Sequence, residues 1–158
     1  MDMGTQGSTT TMGGTSLVTG HSYAVLRVQD YDRAKKYYQD MLGLKVMDAP
    51  NMPGMGTVSL ADGTGFELYV NPALPAPQNT TLAILVKDFD MSFNELKGRG
   101  VMFEEYDLPD MGIKTVNGVA EMQGIKSAWF KDSEGNIINL LTDYISMGMQ
   151  MGGGTTGM

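Results

Sequence analysis

Val28-Gln-Asp-Tyr-Asp-Arg-Ala, residues 28–34, returns 58 positions later as Val86-Lys-Asp-Phe-Asp-Met-Ser, residues 86–92. Val, two Asp residues, an aromatic and a small residue recur in the same order. Each copy follows a short apolar run, Ala24-Val-Leu-Arg-Val in one case and Leu82-Ala-Ile-Leu-Val in the other. Each leads into a helix-like stretch that closes on Gly, at Leu42-Gly-Leu and at Arg99-Gly-Val. Self-similarity at a fixed spacing marks a duplicated supersecondary unit. The unit reads strand, Asp-bearing turn, helix, further strands, and a site is expected where the two units meet.

Working outward from the repeat, Tyr23, Val25 and Arg27 alternate with Ala24, Leu26 and Val28, which predicts a two-faced strand. Asp30 is placed to cap a helix from about Tyr31 to Leu42, with Gly43 as its stop. Strands are expected at Leu44–Asp48, Thr57–Ala61 and Phe66–Val70, the last two joined by the turn signal Asp62-Gly-Thr-Gly. Residues 71–79 carry three prolines and read as a linker. The cycle then repeats. A strand is predicted at Thr81–Val86, a helix at Phe89–Arg99 opened by Asp88, and a strand at Val101–Tyr106. A long segment, Asp107–Gly124, precedes a hairpin of Lys126–Lys131 and Ile137–Thr142. Each half is thus βαβββ, with modules at about 20–72 and 79–146, and the fold class is α+β. The Gly-, Ser-, Thr- and Met-rich ends, 1–19 and 147–158, lack apolar periodicity and are expected to be disordered tails.

Composition narrows the function classes. Residues 20–146 are enough for a single domain with a real core. The hydrophobic fraction of 42% fits a soluble globular protein. No apolar run reaches the roughly 18 residues of a membrane span. The opening residues have neither a basic region nor an apolar stretch, so no signal peptide is predicted and cytoplasm is the expected compartment. There is no Cys, hence no disulfide, thiolate metal site or Cys nucleophile. The net charge of −7, with 11 scattered basic residues, argues against a nucleic-acid partner and against an anionic membrane surface. Dinucleotide, Walker and nucleophile-elbow motifs are missing. The one His, His21, is too little for a Ser-His-Asp triad.

The stretches Val28-Gln-Asp-Tyr-Asp-Arg-Ala-Lys-Lys-Tyr-Tyr-Gln-Asp-Met-Leu-Gly-Leu (28–44) and Trp129-Phe-Lys-Asp-Ser-Glu-Gly-Asn-Ile-Ile (129–138) resemble the vicinal oxygen chelate superfamily. Its members include glyoxalase I, the bleomycin-resistance proteins and the extradiol dioxygenases. The resemblance spans about residues 20–145. It implies a cup-shaped half-barrel of two βαβββ modules with the helices outside and the ligand inside, and often a homodimer. The family's metal enzymes carry His, Gln or Glu at four cup positions, which fall here on Tyr23, Glu67, Thr81 and Asn139. Three of those four depart from the pattern. A catalytic divalent ion needs about three imidazole or carboxylate ligands. One carboxylate with a phenol, a hydroxyl and an amide is a poor cage, so no metal and no cofactor is expected.

Carried over, Tyr23, Glu67, Thr81 and Asn139 would converge near the cup floor and orient a small organic ligand. Arg27 shares the strand face of Tyr23 and would neutralise Glu67 or hold a ligand anion. Of Trp129 and Phe130, one faces the cup and one the helices; Trp129 is the candidate stacking surface. The segment 107–124 reads either as a lid that offers Glu121 or Asn117, or as a surface excursion or dimer contact. Two functions follow. One is metal-independent binding of a small organic ligand, as in resistance by sequestration. The other is a glyoxalase- or dioxygenase-type enzyme, a lyase or oxidoreductase working with a degenerate metal site or through acid–base chemistry at Glu67 and Tyr23.

Overall fold

The computed structural model describes residues 14–151. It bears out the α+β class and the duplicated unit. The first module comprises β1 (Ala24–Val28), α1 (Tyr31–Lys36), β2 (Lys45–Asp48), β3 (Met55–Ser59) and β4 (Gly65–Val70). The second comprises β5 (Thr80–Val86), α2 (Phe89–Gly98), a small two-stranded ribbon of β6 (Asp107–Leu108) and β7 (Ile113–Lys114), then β8 (Ala120–Met122), β9 (Ile125–Lys131) and β10 (Ile137–Thr142). A terminal helix, α3, covers Tyr144–Met151. Two open four-stranded sheets result, ordered β1-β4-β3-β2 and β5-β10-β9-β8. The remainder of the two expected tails, residues 1–13 and 152–158, lies outside the described residues. A short, exposed 3-10 turn occupies Ser16–Thr19.

The repeat has a physical cause. Asp30 accepts from the Arg33 N–H at 3.0 Å, and Asp88 accepts from the Met91 N–H at 3.0 Å. Each is the N-cap of its helix, and Asp32 and Asp90 follow in the first turns, where a helix N-terminus favours negative charge. The closing glycines are equally required. Gly43 and Gly100 have φ of +66° and +100°, a region that residues with a Cβ rarely enter.

The predicted helix Tyr31–Leu42 divides. After α1 the chain forms a π turn over Tyr37–Met41, with the Leu42 N–H donating to the Tyr37 carbonyl at 3.2 Å. Both tyrosines of this turn reach the second module. The Tyr38 hydroxyl donates to Asp132 at 2.5 Å, and the Tyr37 hydroxyl donates to the Lys131 carbonyl at 3.3 Å.

The predicted strand Val101–Tyr106 is not formed. Only Phe103 bridges to Phe130, and the Glu104 N–H donates to the Trp129 carbonyl at 2.8 Å. The chain then leaves the sheet because Thr115 captures Tyr106. The Tyr106 N–H donates to the Thr115 hydroxyl at 2.7 Å, and the Thr115 N–H returns to the Tyr106 carbonyl at 2.9 Å. The chain rejoins the same edge of β9 as β8, so the fourth strand of this sheet is split around an excursion.

The core lies on one face of each sheet. Leu26, Val28, Val46, Val58, Phe66 and Leu68 of the first sheet join Ala34, Tyr38, Phe130 and Ile138 in one cluster. Phe89 and Phe93 of α2 cover Ala128 and Leu140 of the second sheet. A polar latch joins the modules. The buried Glu134 carboxylate, in the β9–β10 turn, accepts from the Gln29 and Asp30 N–H groups at 2.9 and 2.8 Å, and from Arg33 at 2.8 and 3.0 Å. Asn136 donates to the Arg27 carbonyl at 2.8 Å and to Asp132 at 2.9 Å. The Asp132-Ser-Glu-Gly-Asn turn therefore caps the start of α1 from across the module boundary.

Candidate functional site

Strand alternation sorts the candidate residues by face. In the first sheet Val25, Glu67, Thr57 and Met47 form one cross-strand row. The adjoining rows, such as Phe66, Val58 and Val46, enter the core. Val25 and Glu67 therefore lie on the face turned away from the helices. In the second sheet the matching row is Ala83, Asn139 and Trp129. Its neighbours Ile138 and Phe130 are buried. The expectation that Trp129 and Phe130 part to opposite faces is met, with Phe130 in the core.

Above the Asn139–Trp129 row lies a cavity of about 490 Å³. Its floor is Trp129, Ile137 and Asn139; the β6–β7 ribbon forms its other wall through Leu108, Met111 and Ile113. Tyr106 joins them, its ring edge-on to Trp129 with centroids 5.5 Å apart. Burial, reinforced by the nearby Glu104 carboxylate, holds the Tyr106 phenol above its ordinary pKa, so it stays a neutral hydroxyl. Gln78, Asn79 and Thr80 line the rim. The long segment thus covers the sheet as the sequence suggested, but with apolar side chains. Glu121 and Asn117 do not line this cavity.

Asn139 is buried, and its amide nitrogen is fully engaged. It donates to the Ser127 hydroxyl at 2.7 Å and to the Ala128 and Leu140 carbonyls at 3.0 and 3.3 Å. Two carbonyl partners fix which end of the amide is nitrogen. The opposite oxygen takes no hydrogen bond from a described residue, and no side-chain polar atom among the described residues is both buried and unpartnered. Asn139 thus lines the cavity with a side-chain oxygen that no described residue engages.

The other candidates sit elsewhere. The Thr81 hydroxyl donates to the Ile137 carbonyl at 3.0 Å, so its proton is already committed. Arg27 is 9% exposed and has no bond to Glu67. Its guanidinium donates to the main-chain carbonyls of Leu74 at 2.6 Å and Glu134 at 3.2 Å, because the linker and the β9–β10 turn close over it. The expected anion-holding role is thereby displaced by a structural one. Tyr23 is 45% exposed, edge-on to His21 at 5.7 Å, and neither it nor Glu67 lines the cavity. The structure brings the candidates Trp129 and Asn139 side by side and adds Tyr106, Leu108, Met111 and Ile113, which were not among the sequence candidates. The signal for Leu108, Met111 and Ile113 was the length of the segment that carries them; Tyr106 sits at the end of the expected strand and gave none.

A metal does not fit this donor set. The amide nitrogen of Asn139 faces carbonyls, Thr81 is a committed donor, and Tyr23 offers a phenol where the family's metal enzymes carry an imidazole or amide ligand. Glu67 alone remains, and among the described residues no three His, Asp or Glu side chains gather closely enough to hold an ion.

A family model described as "Glyoxalase/Bleomycin resistance protein/Dioxygenase superfamily" matches residues 20–140. No curated protein matches the sequence. Solved structures with the same fold include a bleomycin resistance determinant encoded on the transposon Tn5, at 19% identity and a TM-score of 0.59, covering 78% of this chain and 98% of that one. A superfamily member from Sphaerobacter thermophilus is 21% identical with a TM-score of 0.58, again covering 78% and 98%. A glyoxalase/dioxygenase from Nostoc punctiforme is 17% identical with a TM-score of 0.55, covering 77% and 88%.

Proposed function

The chain belongs to the glyoxalase/bleomycin resistance protein/dioxygenase superfamily, and from that premise we propose that it binds a small organic molecule without a metal, in the cavity over the second sheet. The observation that carries this reading is the cavity itself. Its volume is in the range of small-molecule sites, its walls are mostly apolar, and its lining includes Asn139, whose side-chain oxygen no described residue engages. Binding of this kind serves sequestration or sensing. A lyase or dioxygenase working through Glu67 and Tyr23 has less support, since neither side chain lines the cavity. The same proposal takes the protein as a cytoplasmic homodimer, in which the exposed Val25 and Met47 of the first sheet would be covered. Elemental analysis of purified protein, together with a fragment screen, tests the reading. It expects well under one equivalent of transition metal per chain and fragment hits that quench Trp129, the single Trp. One bound metal per chain, lost in Glu67→Ala, would overturn it.

A further inference from the structure

Resting on that reading, we infer that the molecule held against Trp129 is uncharged, flat and aromatic, and carries an N–H or O–H that it donates to Asn139. The charge of the ligand follows from what the cavity lacks. The chain has 18 acidic and 11 basic residues, yet none of those among the described residues lines this space. Its polar groups are neutral amides, a Thr and the Tyr106 phenol. A cavity whose walls supply no counter-ion excludes an ionised ligand, because stripping water from a charge is costly unless it is paired. Arg27, the cation nearest in sequence logic, is closed off by the Leu74 and Glu134 carbonyls.

Shape follows from the walls. The indole of Trp129 lines the cavity together with the ribbon side chains Leu108 and Ile113, and Tyr106 stands edge-on to the indole. A flat ring system stacks on an indole and meets an edge-on neighbour better than an aliphatic one. The donor requirement follows from Asn139. Its nitrogen is held by two carbonyls, so the amide cannot turn, and what it offers the cavity is an acceptor only.

Three probes of one skeleton separate these requirements: N-phenyl-1-naphthylamine, its N-methyl derivative without the donor, and 8-anilinonaphthalene-1-sulfonate, which keeps the N–H and adds a charge. Binding is read from energy transfer out of Trp129. The neutral amine should saturate. The N-methyl derivative should bind about two- to tenfold more weakly, the loss of one neutral hydrogen bond. The sulfonate should bind at least about tenfold more weakly. Ile113→Glu, on the exposed ribbon and away from the core, should abolish binding of the neutral amine while leaving the thermal midpoint in place. A sulfonate that binds as well as the neutral amine would overturn the inference about charge, and equal binding of the N-methyl derivative would overturn the role of Asn139. If no probe quenches Trp129, or if Ile113→Glu changes nothing, the cavity is not the site and the proposed function falls with it.

Discussion

Glu134 brings a carboxylate into the seam between the modules and satisfies it with backbone N–H groups of Gln29 and Asp30 and with the fork of Arg33. Burial alone would raise its pKa. The Arg33 hydrogen bonds, the two backbone donors and Ser133 outweigh that and hold it at about 2. The sign of the linkage follows. In the unfolded chain the carboxyl takes up its proton near 4.5, so between about 4.5 and 2 the unfolded state binds more protons and stability falls as pH falls. Above 4.5 the contribution is complete. Thermal melts of the parent chain should therefore drop across that window, whereas Glu134→Gln should be less stable by about 1–3 kcal/mol at pH 7 and flatter below pH 4.5. Parallel pH curves for the two proteins would show that this carboxylate is not what joins the modules. The Asp132-Ser-Glu-Gly-Asn turn was legible as a hairpin turn. That its Glu caps a helix 104 residues away was not, because a capping bond of that span leaves no periodic mark on the chain.

At the scale of elements, the two sheets repeat each other until their fourth strands. The first module runs from β2 to β3 through the short connection 49–54. In the second module the fourth strand is instead split around the excursion that Thr115 pins, and the excursion carries Leu108, Met111 and Ile113 over the sheet. Duplication built the frame, and the insertion made one half different from the other. Asp107, Leu108, Asp110 and Met111 are exposed, and the ribbon contributes nothing to either core cluster. Replacing residues 107–114 with a short Gly-Ser linker should thus leave the thermal midpoint within about 2–4 °C, since surface changes usually stay near 0.5 kcal/mol. It should also remove saturable binding of the neutral amine. Unchanged binding in that variant would put the ligand elsewhere. The strand expected at Val101–Tyr106 failed for the same local reason. Its apolar pattern is that of a strand, but hydrogen bonds to Thr115 compete for the backbone at Tyr106.

For the molecule as a whole, the segments either side of the modules are proposed to be dispensable: a chain trimmed to residues 20–146 should keep its thermal midpoint within a degree or two, and a clear drop in calorimetry would show that an end segment docks on the domain. The two-module α+β fold could be read before any coordinates, because its determinants are local and occur twice. Capping aspartates, helix-closing glycines and strand alternation each act within a few residues and print a pattern on the sequence. The sequence likewise carries the proposal that no metal is held, since it rests on which side chains fall at the four family positions. Tertiary structure alone decided which of the candidate side chains are already engaged. Arg27 and Thr81 are chemically apt and are consumed by carbonyls from distant segments, whereas the Asn139 oxygen takes no hydrogen bond from a described residue. Whether a polar group is committed or free depends on partners far away in the chain, and only the folded packing supplies them.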